Sequence, residues 1–150
     1  MKKTEGDLKG SGLNIAIVAG RFNGRVTDKL IDGARDKLSR LGAEDQHLFK
    51  VPGSFELPRG VKKVALSEDF DGVVALGAVI RGETPHFEYV SNEASKGLAQ
   101  LNLDLEVPVS FGLITADTMD QALDRAGGKG NKGAEAAESL IEMINLEREV

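Results

Sequence analysis

The chain has no cysteine, no tryptophan and only two histidines among its 150 residues. Because cysteine is absent, the protein has no disulfide, no thiolate metal ligand and no cysteine nucleophile. The two histidines, His47 and His86, are too few for a metal site built from several histidines of one chain. We therefore expect no such metal site.

Long apolar runs are also lacking. No run is long enough to span a bilayer, and residues 1–12 do not contain the apolar region of a signal peptide. The net charge is −5, with acidic and basic residues interspersed, which argues against nucleic acid as a partner. We expect a cytoplasmic protein that binds neither membrane nor nucleic acid.

The composition is that of a single domain with a sizeable core. Hydrophobic residues make up 41% of the chain, and no linker or compositional break divides it. Residues 1–12 are polar and contain several glycines, which predicts a flexible N-terminal tail. Residues 13–150 are then expected to form one domain.

Strands and helices alternate in the predicted secondary structure. Apolar runs predict strands at 14–20, 45–51, 73–80 and 108–115. Apolar residues at helical spacing predict helices at 26–41, 57–64, 85–101, 118–125 and around 137–144. This order is typical of an α/β fold with right-handed crossovers. We predict a flavodoxin-like three-layer sandwich, in which a four-stranded parallel sheet carries helices on both faces.

The predicted strand 73–80 leads to the sharpest candidate for chemistry. After a polar loop, Thr84 is expected to cap a helix whose first residue is Pro85, which places His86 in the first turn. The positive end of the helix dipole favours a neutral imidazole, which can take up and return a proton. A histidine chosen only for local hydrogen bonding fits this position as well. His47, among apolar neighbours in a strand, is interpreted as a packing residue.

Two further loops follow predicted strands at the edge of the sheet where ligands bind in such folds. In the first, Phe22 can stack on a flat heterocycle or act as a hydrophobic staple onto Val26, and Asn23 is a plausible helix N-cap. In the second, Glu56 beside Ser54 can accept hydrogen bonds from a polyol or an amine, or simply suit the first turn of a helix. Neither loop matches a known nucleotide-binding motif.

A small basic cluster lies near the end of the chain. Arg125, Lys129 and Lys132 are set among glycines in an otherwise acidic protein, which suggests anion binding. Cations that complement the C-terminal end of the short preceding helix explain the cluster equally well. The residues alone therefore indicate an α/β domain that binds a planar molecule with an anionic group, and they do not name a reaction.

Several motifs, taken together, resemble those of the lumazine synthase family of riboflavin biosynthesis. In chain order they are GRFN (20–23), VPGSFELP (51–58), LGAVIRGETPHF (76–87), PVSFG (108–112), RAG (125–127) and GNKG (130–133). Each motif alone is moderately specific, whereas their common order and spacing are very specific. The resemblance covers residues 14–148.

The resemblance implies a reaction and an assembly. Members of the family condense 5-amino-6-ribitylaminouracil with 3,4-dihydroxy-2-butanone 4-phosphate to form 6,7-dimethyl-8-ribityllumazine, releasing phosphate and two waters. They need no metal or organic cofactor, and they form pentamers or icosahedral shells of sixty subunits. The partners implied are therefore the two small-molecule substrates, further copies of the chain and, for the product, riboflavin synthase.

The resemblance also assigns roles to residues of this chain. His86 would shuttle protons, and Phe22 would stack on the pyrimidine. The other residues implied at the pyrimidine and ribityl chain are Asn23, Ser54, Phe55, Glu56, Ala78, Val79 and Ile80. Those implied at the phosphate substrate are Glu83, Thr84 and Arg125. Phe111, Arg125 and Lys132 would come from the adjacent subunit.

Two other functions fit the same scaffold. A non-catalytic flavin- or lumazine-binding protein would keep Phe22 and the ribityl-binding loop but would have no use for Thr84, His86 and Arg125 together. A mainly structural, shell-forming protein in which catalysis is secondary is the other alternative, and assembly size alone does not establish it, because active members of the family also build shells. Formation of the fluorescent lumazine from both substrates distinguishes an enzyme from the non-catalytic binding protein.

Overall fold

The computed structural model describes residues 1–67, 69–127 and 129–150, and in it strands and helices alternate as the sequence predicts. In chain order the elements are β1 (Asn14–Gly20), α1 (Gly24–Arg40), β2 (Asp45–Val51), a 3₁₀ turn (Ser54–Glu56), α2 (Leu57–Ala65), β3 (Gly72–Ile80), α3 (His86–Asp104), β4 (Val109–Ala116), α4 (Met119–Arg125) and α5 (Lys132–Glu149).

The four strands are parallel and lie in the order β2-β1-β3-β4. The chain therefore moves outward from β1 to β2, returns to β3 on the other side of β1, and ends at β4. The strand order reverses between β1 and β3, which makes the carboxyl ends of these two strands the topological switch point of the sheet. Open α/β sheets bind their ligands at such a point.

Both faces of the sheet are buried, so the predicted three-layer sandwich is confirmed. Alternate residues of β1 enter opposite cores: Ile15 and Ile17 pack with α1, α4 and α5, whereas Ala16 and Val18 pack with α2 and α3. The central strand β3 is buried along nearly its whole length. Continuous apolar runs are what a parallel strand covered on both faces requires.

Most element boundaries lie within three residues of the prediction, and the exception is α5, which extends from Lys132 to Glu149 around the predicted 137–144. The strand predicted at 108–115 is displaced by one residue, to Val109–Ala116, and the carbonyl of Pro108 accepts a hydrogen bond from the N–H of Val73 just before β4 begins. Helix α3 begins at His86 with Pro85 as its N-cap, so the predicted cap at Thr84 and the first helical position at Pro85 are wrong. The carbonyl of Pro85 opens the first turn by accepting from the N–H of Glu88 at 3.0 Å.

His47 lies on the edge strand β2 and its side chain is 44% exposed. Its ring packs edge-on against Phe70, with the two centroids 5.4 Å apart. The packing role predicted for His47 is therefore an aromatic contact at the rim of the sheet rather than burial in the core.

The first ten residues have no regular secondary structure but contact the rest of the domain. The side-chain amide of Asn145 donates to the carbonyl oxygens of Asp7 and Lys9 at 2.9 and 3.0 Å. The N–H of Gly10 donates to the carbonyl of Leu41 at 2.7 Å. These contacts tie residues 7–10 to α5 and to the end of α1, and the flexibility of residues 1–12 stays a prediction.

Among the described residues, none of the helices combines the length and the apolar character needed to cross a membrane.

Candidate functional site

A cleft of about 670 Å³ opens at the switch point, where the carboxyl ends of β1, β2 and β3 meet the start of α3. It is lined by Phe22, Asn23, Gly53, Ser54, Phe55, Glu56, Ala78, Val79, Ile80, His86, Tyr89, Val90 and Glu93. Nine of the residues that the sequence assigned to a site are thus in one place. The long sequence distances between them are bridged by the parallel sheet, which brings the end of every strand to the same edge.

Phe22 forms an aromatic wall of this cleft. The backbone N–H groups of Arg21 and Phe22 donate to the carbonyl of Pro52 at 3.2 and 3.1 Å, which joins the first two loops. Phe22 remains 68% exposed, and its ring lies so close to Gly53 that a Cβ there would overlap it. The ring is therefore held at the cleft with an open face, as stacking on a planar ligand requires.

Asn23 is the N-cap of α1 in position only. Its backbone is left-handed (φ 61°), and its side chain makes no capping hydrogen bond. Instead, its amide Nδ2 donates to the carbonyl of Ala78 at 2.9 Å. The predicted capping role of the Asn23 side chain is wrong, because this contact with β3 takes its place. The contact fixes the β1 loop against the end of β3, across the switch point.

The 3₁₀ turn supplies the polar part of the cleft. Ser54 is buried above Gly77, where a Cβ would come within 2.7 Å of Ser54 Oγ. Phe55 is 62% exposed, and Glu56 is half-buried. Among the described residues the Glu56 carboxylate forms no ion pair, which leaves its oxygens able to accept hydrogen bonds from a ligand.

Helix α3 contributes one face to the cleft. His86 is exposed at its first residue, and Tyr89, Val90 and Glu93 follow at intervals of three, four and seven residues. Residues at this spacing lie on one side of a helix. These three residues and Gly53 were not predicted as site residues from the sequence, although the helical spacing from His86 is a signal that could have identified those on α3.

Five predicted site residues do not line this cleft. Glu83 and Thr84 are exposed on the loop between β3 and α3. Arg125 and Lys132 line a separate cleft of about 670 Å³ between α4 and α5, and Phe111 lines a groove of about 370 Å³ beside β4 together with Lys132. Within one chain, the basic residues are therefore apart from His86.

The loop that carries the basic residues is held by Asn131. Its Oδ1 accepts from the N–H of Ala134 at 3.0 Å, and its Nδ2 donates to the carbonyls of Lys29 and Ala126 at 2.9 and 3.1 Å. Arg125 donates to the carbonyl of Gln121 at 3.1 Å. Gly128, which belongs to the predicted glycine and lysine loop, lies outside the described residues.

Arg81 supplies a fixed positive charge next to the cleft, directly after Ile80. A hydrogen bond from its Nε to Oδ1 of Asp117, 2.8 Å long, raises the pKa of the guanidinium, and the charges of Asp117 and Glu88 add to this effect. Arginine is already charged at physiological pH, so protonation does not switch this group.

Within the described residues, no three histidine or carboxylate side chains are grouped so that they could hold a metal ion. The cleft instead offers an aromatic face, a polar turn, backbone groups at the end of β3 and one imidazole. This set can bind a flat polar molecule and move protons on it, as general acid–base catalysis requires.

Comparison with known proteins gives a consistent result. Residues 12–148 match the model of a family described as 6,7-dimethyl-8-ribityllumazine synthase. The chain is 53% identical over 150 residues to the 6,7-dimethyl-8-ribityllumazine synthase of Syntrophus aciditrophicus strain SB, covering 98% of this chain and 97% of that protein. It is 54% identical over 149 residues to the protein of the same name from Nitratidesulfovibrio vulgaris strain DP4, covering 97% and 96% of the two chains.

Proposed function

The chain belongs to the 6,7-dimethyl-8-ribityllumazine synthase family, and from this premise we propose the reaction that it catalyses. It condenses 5-amino-6-ribitylaminouracil with 3,4-dihydroxy-2-butanone 4-phosphate to give 6,7-dimethyl-8-ribityllumazine, phosphate and two waters. This is the penultimate step of riboflavin biosynthesis, and the protein is a transferase. The observation that carries the proposal is the single cleft that joins Phe22, Ser54–Glu56, Ala78–Ile80 and His86.

The cleft suits the first substrate. Its uracil ring is flat and polar at the edge, which matches the open face of Phe22 and the backbone groups of Ala78–Ile80. Its ribityl chain carries several hydroxyl groups, which can donate to the carboxylate of Glu56, for which the described part of the chain shows no ion pair. Asn23 borders the same space, although one N–H of its amide is already used by Ala78.

The chemistry needs orientation and proton transfer more than a protein nucleophile. The 5-amino group of the uracil attacks the ketone, an imine forms with loss of water, phosphate leaves, and the ribitylamino nitrogen closes the ring with loss of a second water. Each step moves a proton, and His86 is the imidazole of the cleft. Holding the two reactants together in the reactive geometry supplies much of the remaining acceleration.

The phosphate substrate needs groups from a second subunit. Glu83 and Thr84 lie on the loop beside His86, but Arg125, Lys132 and Phe111 lie in other clefts of the same chain. We infer a homo-oligomer, a pentamer or a shell of sixty subunits, in which these three residues of one subunit face the cleft of the next. Arg125 then binds the phosphate with its planar fork of N–H groups.

A kinetic assay tests the reaction directly. The purified protein is mixed with both substrates, and the fluorescent lumazine is followed with time. We expect His86→Ala to lower turnover by about 10²- to 10⁴-fold while the affinity for the uracil substrate stays the same. His47→Ala is the matched control, because it removes the other histidine, on the edge strand β2. A protein that binds the product but forms none would be the non-catalytic alternative.

Mixed oligomers test the shared site. His86→Ala and Arg125→Ala chains are produced separately and together, and the mass of each preparation is measured by analytical ultracentrifugation. If the cleft and the arginine come from neighbouring subunits, random 1:1 mixing restores about a quarter of the sites, those that pair an intact His86 with an intact Arg125. Activity is measured at a butanone phosphate concentration too low to saturate the Arg125→Ala protein. Activity that stays at the level of the two parents, or an active monomer, would contradict the shared site.

A further inference from the structure

The N-terminal end of α3 has no side-chain cap that would fix the position of His86. The N-cap of α3 is Pro85, which has no side-chain hydrogen-bond donor or acceptor, and residues 81–86 are exposed. A frayed first turn would let the imidazole move away from the other residues of the cleft. Contacts with the rest of the domain therefore decide how firmly this turn is held, and the packing of Phe87 against the apolar core is one of them.

Arg81 connects the first turn of α3 to the neighbouring strand. Its Nε donates to Oδ1 of Asp117, directly after β4, at 2.8 Å. Its Nη1 lies 3.6 Å from Oε1 of Glu88 in the first turn of α3. The guanidinium carbon lies 4.7 Å from the centre of the Phe87 ring.

Two of the residues that Arg81 contacts lie next to His86 in the chain. Phe87 and Glu88 are the two residues that follow His86, and both contact the same guanidinium. The backbone N–H of Arg81 donates to the carbonyl of Ala116 at 2.9 Å, so the backbone of Arg81 is also bound to β4. The planar guanidinium can stack on a ring and donate hydrogen bonds at its edge at the same time, which a lysine cannot do.

We propose that Arg81 is a positioning residue for His86: bound to Asp117, it holds Phe87 and Glu88, and with them the first turn of α3, where the imidazole meets the substrates. The proposal rests on the proposed function, because it assigns Arg81 a role through the proton transfer at His86. Arg81 is not among the residues that line the cleft.

Arg81 is not needed to hold the fold together. The three charged side chains of this cluster are 46–64% exposed, and exposed ion pairs contribute little to the free energy of unfolding. Their effect is instead local, on where the imidazole lies. A displacement of about 1 Å between reacting groups can cost up to about 10²-fold in rate.

The test is a double-mutant cycle of Arg81→Gln and His86→Ala, with turnover and both KM values measured. We expect Arg81→Gln to lower kcat about tenfold and to leave the KM for the uracil substrate within about twofold. In the His86→Ala background the same change should have no further effect, because there is no longer an imidazole to position.

Two further variants sharpen the test. Asp117→Ala removes the other end of the contact and should show the same dependence on His86, which keeps the proposal testable if Arg81→Gln does not fold. Arg40→Gln is the matched control, because it breaks an exposed arginine–aspartate pair of the same 2.8 Å length, between Arg40 and Asp36 on α1. It should leave kcat unchanged.

The outcomes separate this proposal from the proposed function. A wild-type protein that forms no lumazine would overturn the function. A wild-type protein that is active, with an unchanged kcat in Arg81→Gln, would overturn the positioning role alone. An equal loss of kcat with and without His86 would also overturn it, because Arg81 would then act by another route.

Discussion

Replacing Gly53 by alanine should move the ring of Phe22 without disturbing the backbone. The Cβ of an alanine would overlap Cδ2 of Phe22 and come within 3.0 Å of Cε2. Gly53 has an extended conformation, with φ −158° and ψ −173°, that alanine also adopts, so the substitution introduces no backbone strain. Because Phe22 is 68% exposed, its ring can swing away from the new methyl group.

The cost should therefore appear in ligand binding rather than in folding. Stacking of an aromatic side chain on a base contributes about 1–3 kcal/mol, and losing it corresponds to about 5- to 150-fold weaker binding. The free energy of unfolding should not fall, because exchanging glycine for alanine at a compatible site stabilises a protein by about 0.4–1 kcal/mol through the unfolded chain.

Titration with 6,7-dimethyl-8-ribityllumazine, followed by fluorescence, measures the effect. Phe22→Ala gives the upper limit, and adding Gly53→Ala to it should cause little further loss, because the ring that the methyl group displaces is then absent. Gly24→Ala is the matched control: it adds a methyl group at the first residue of α1, two residues after Phe22, and this methyl group meets only Asp28 Oδ2, at 3.9 Å. Wild-type affinity in a folded Gly53→Ala protein would refute the role of Phe22 in stacking.

Two further predictions concern the phosphate substrate and the core. Arg125→Ala should raise the KM for the butanone phosphate at least tenfold, because a charge-assisted contact with this substrate is lost. The KM for the uracil substrate should change less than about twofold. An equal change in both KM values would argue against a phosphate contact. Leu76→Ala, at a fully buried position of β3, should lower the free energy of unfolding in urea by about 2–5 kcal/mol. Leu103→Ala, at a residue that is 80% exposed, should change it by less than about 0.5 kcal/mol, and similar losses in both variants would contradict the assignment of the core.

The sequence by itself determined the elements of this protein. The apolar runs of β1 and β3 are buried on both faces, and the periodic residues Leu30, Ala34 and Leu38 of α1 enter the core as their spacing predicts. Gly42, with φ 93°, follows the end of α1 as a left-handed residue that glycine adopts without strain. These features are local, because each depends on residues a few positions apart.

The order of the motifs along the chain is information that no local pattern contains. This order identified the family that the comparisons show. The sequence further predicted which loops would form a site, because parallel strands end at one edge of the sheet. It did not give the order β2-β1-β3-β4, which follows from how the helices cover the two faces.

Only the tertiary structure decided which side chains meet. The side chain of Asn23 does not cap its own helix but donates a hydrogen bond to the carbonyl of Ala78, 55 residues away, because β1 and β3 are neighbours. Arg81 reaches Asp117 because β4 lies beside β3 with Ile80 opposite Ala116. Such contacts depend on strand order and register, which no short-range pattern encodes, and they fix the cleft in which His86 lies.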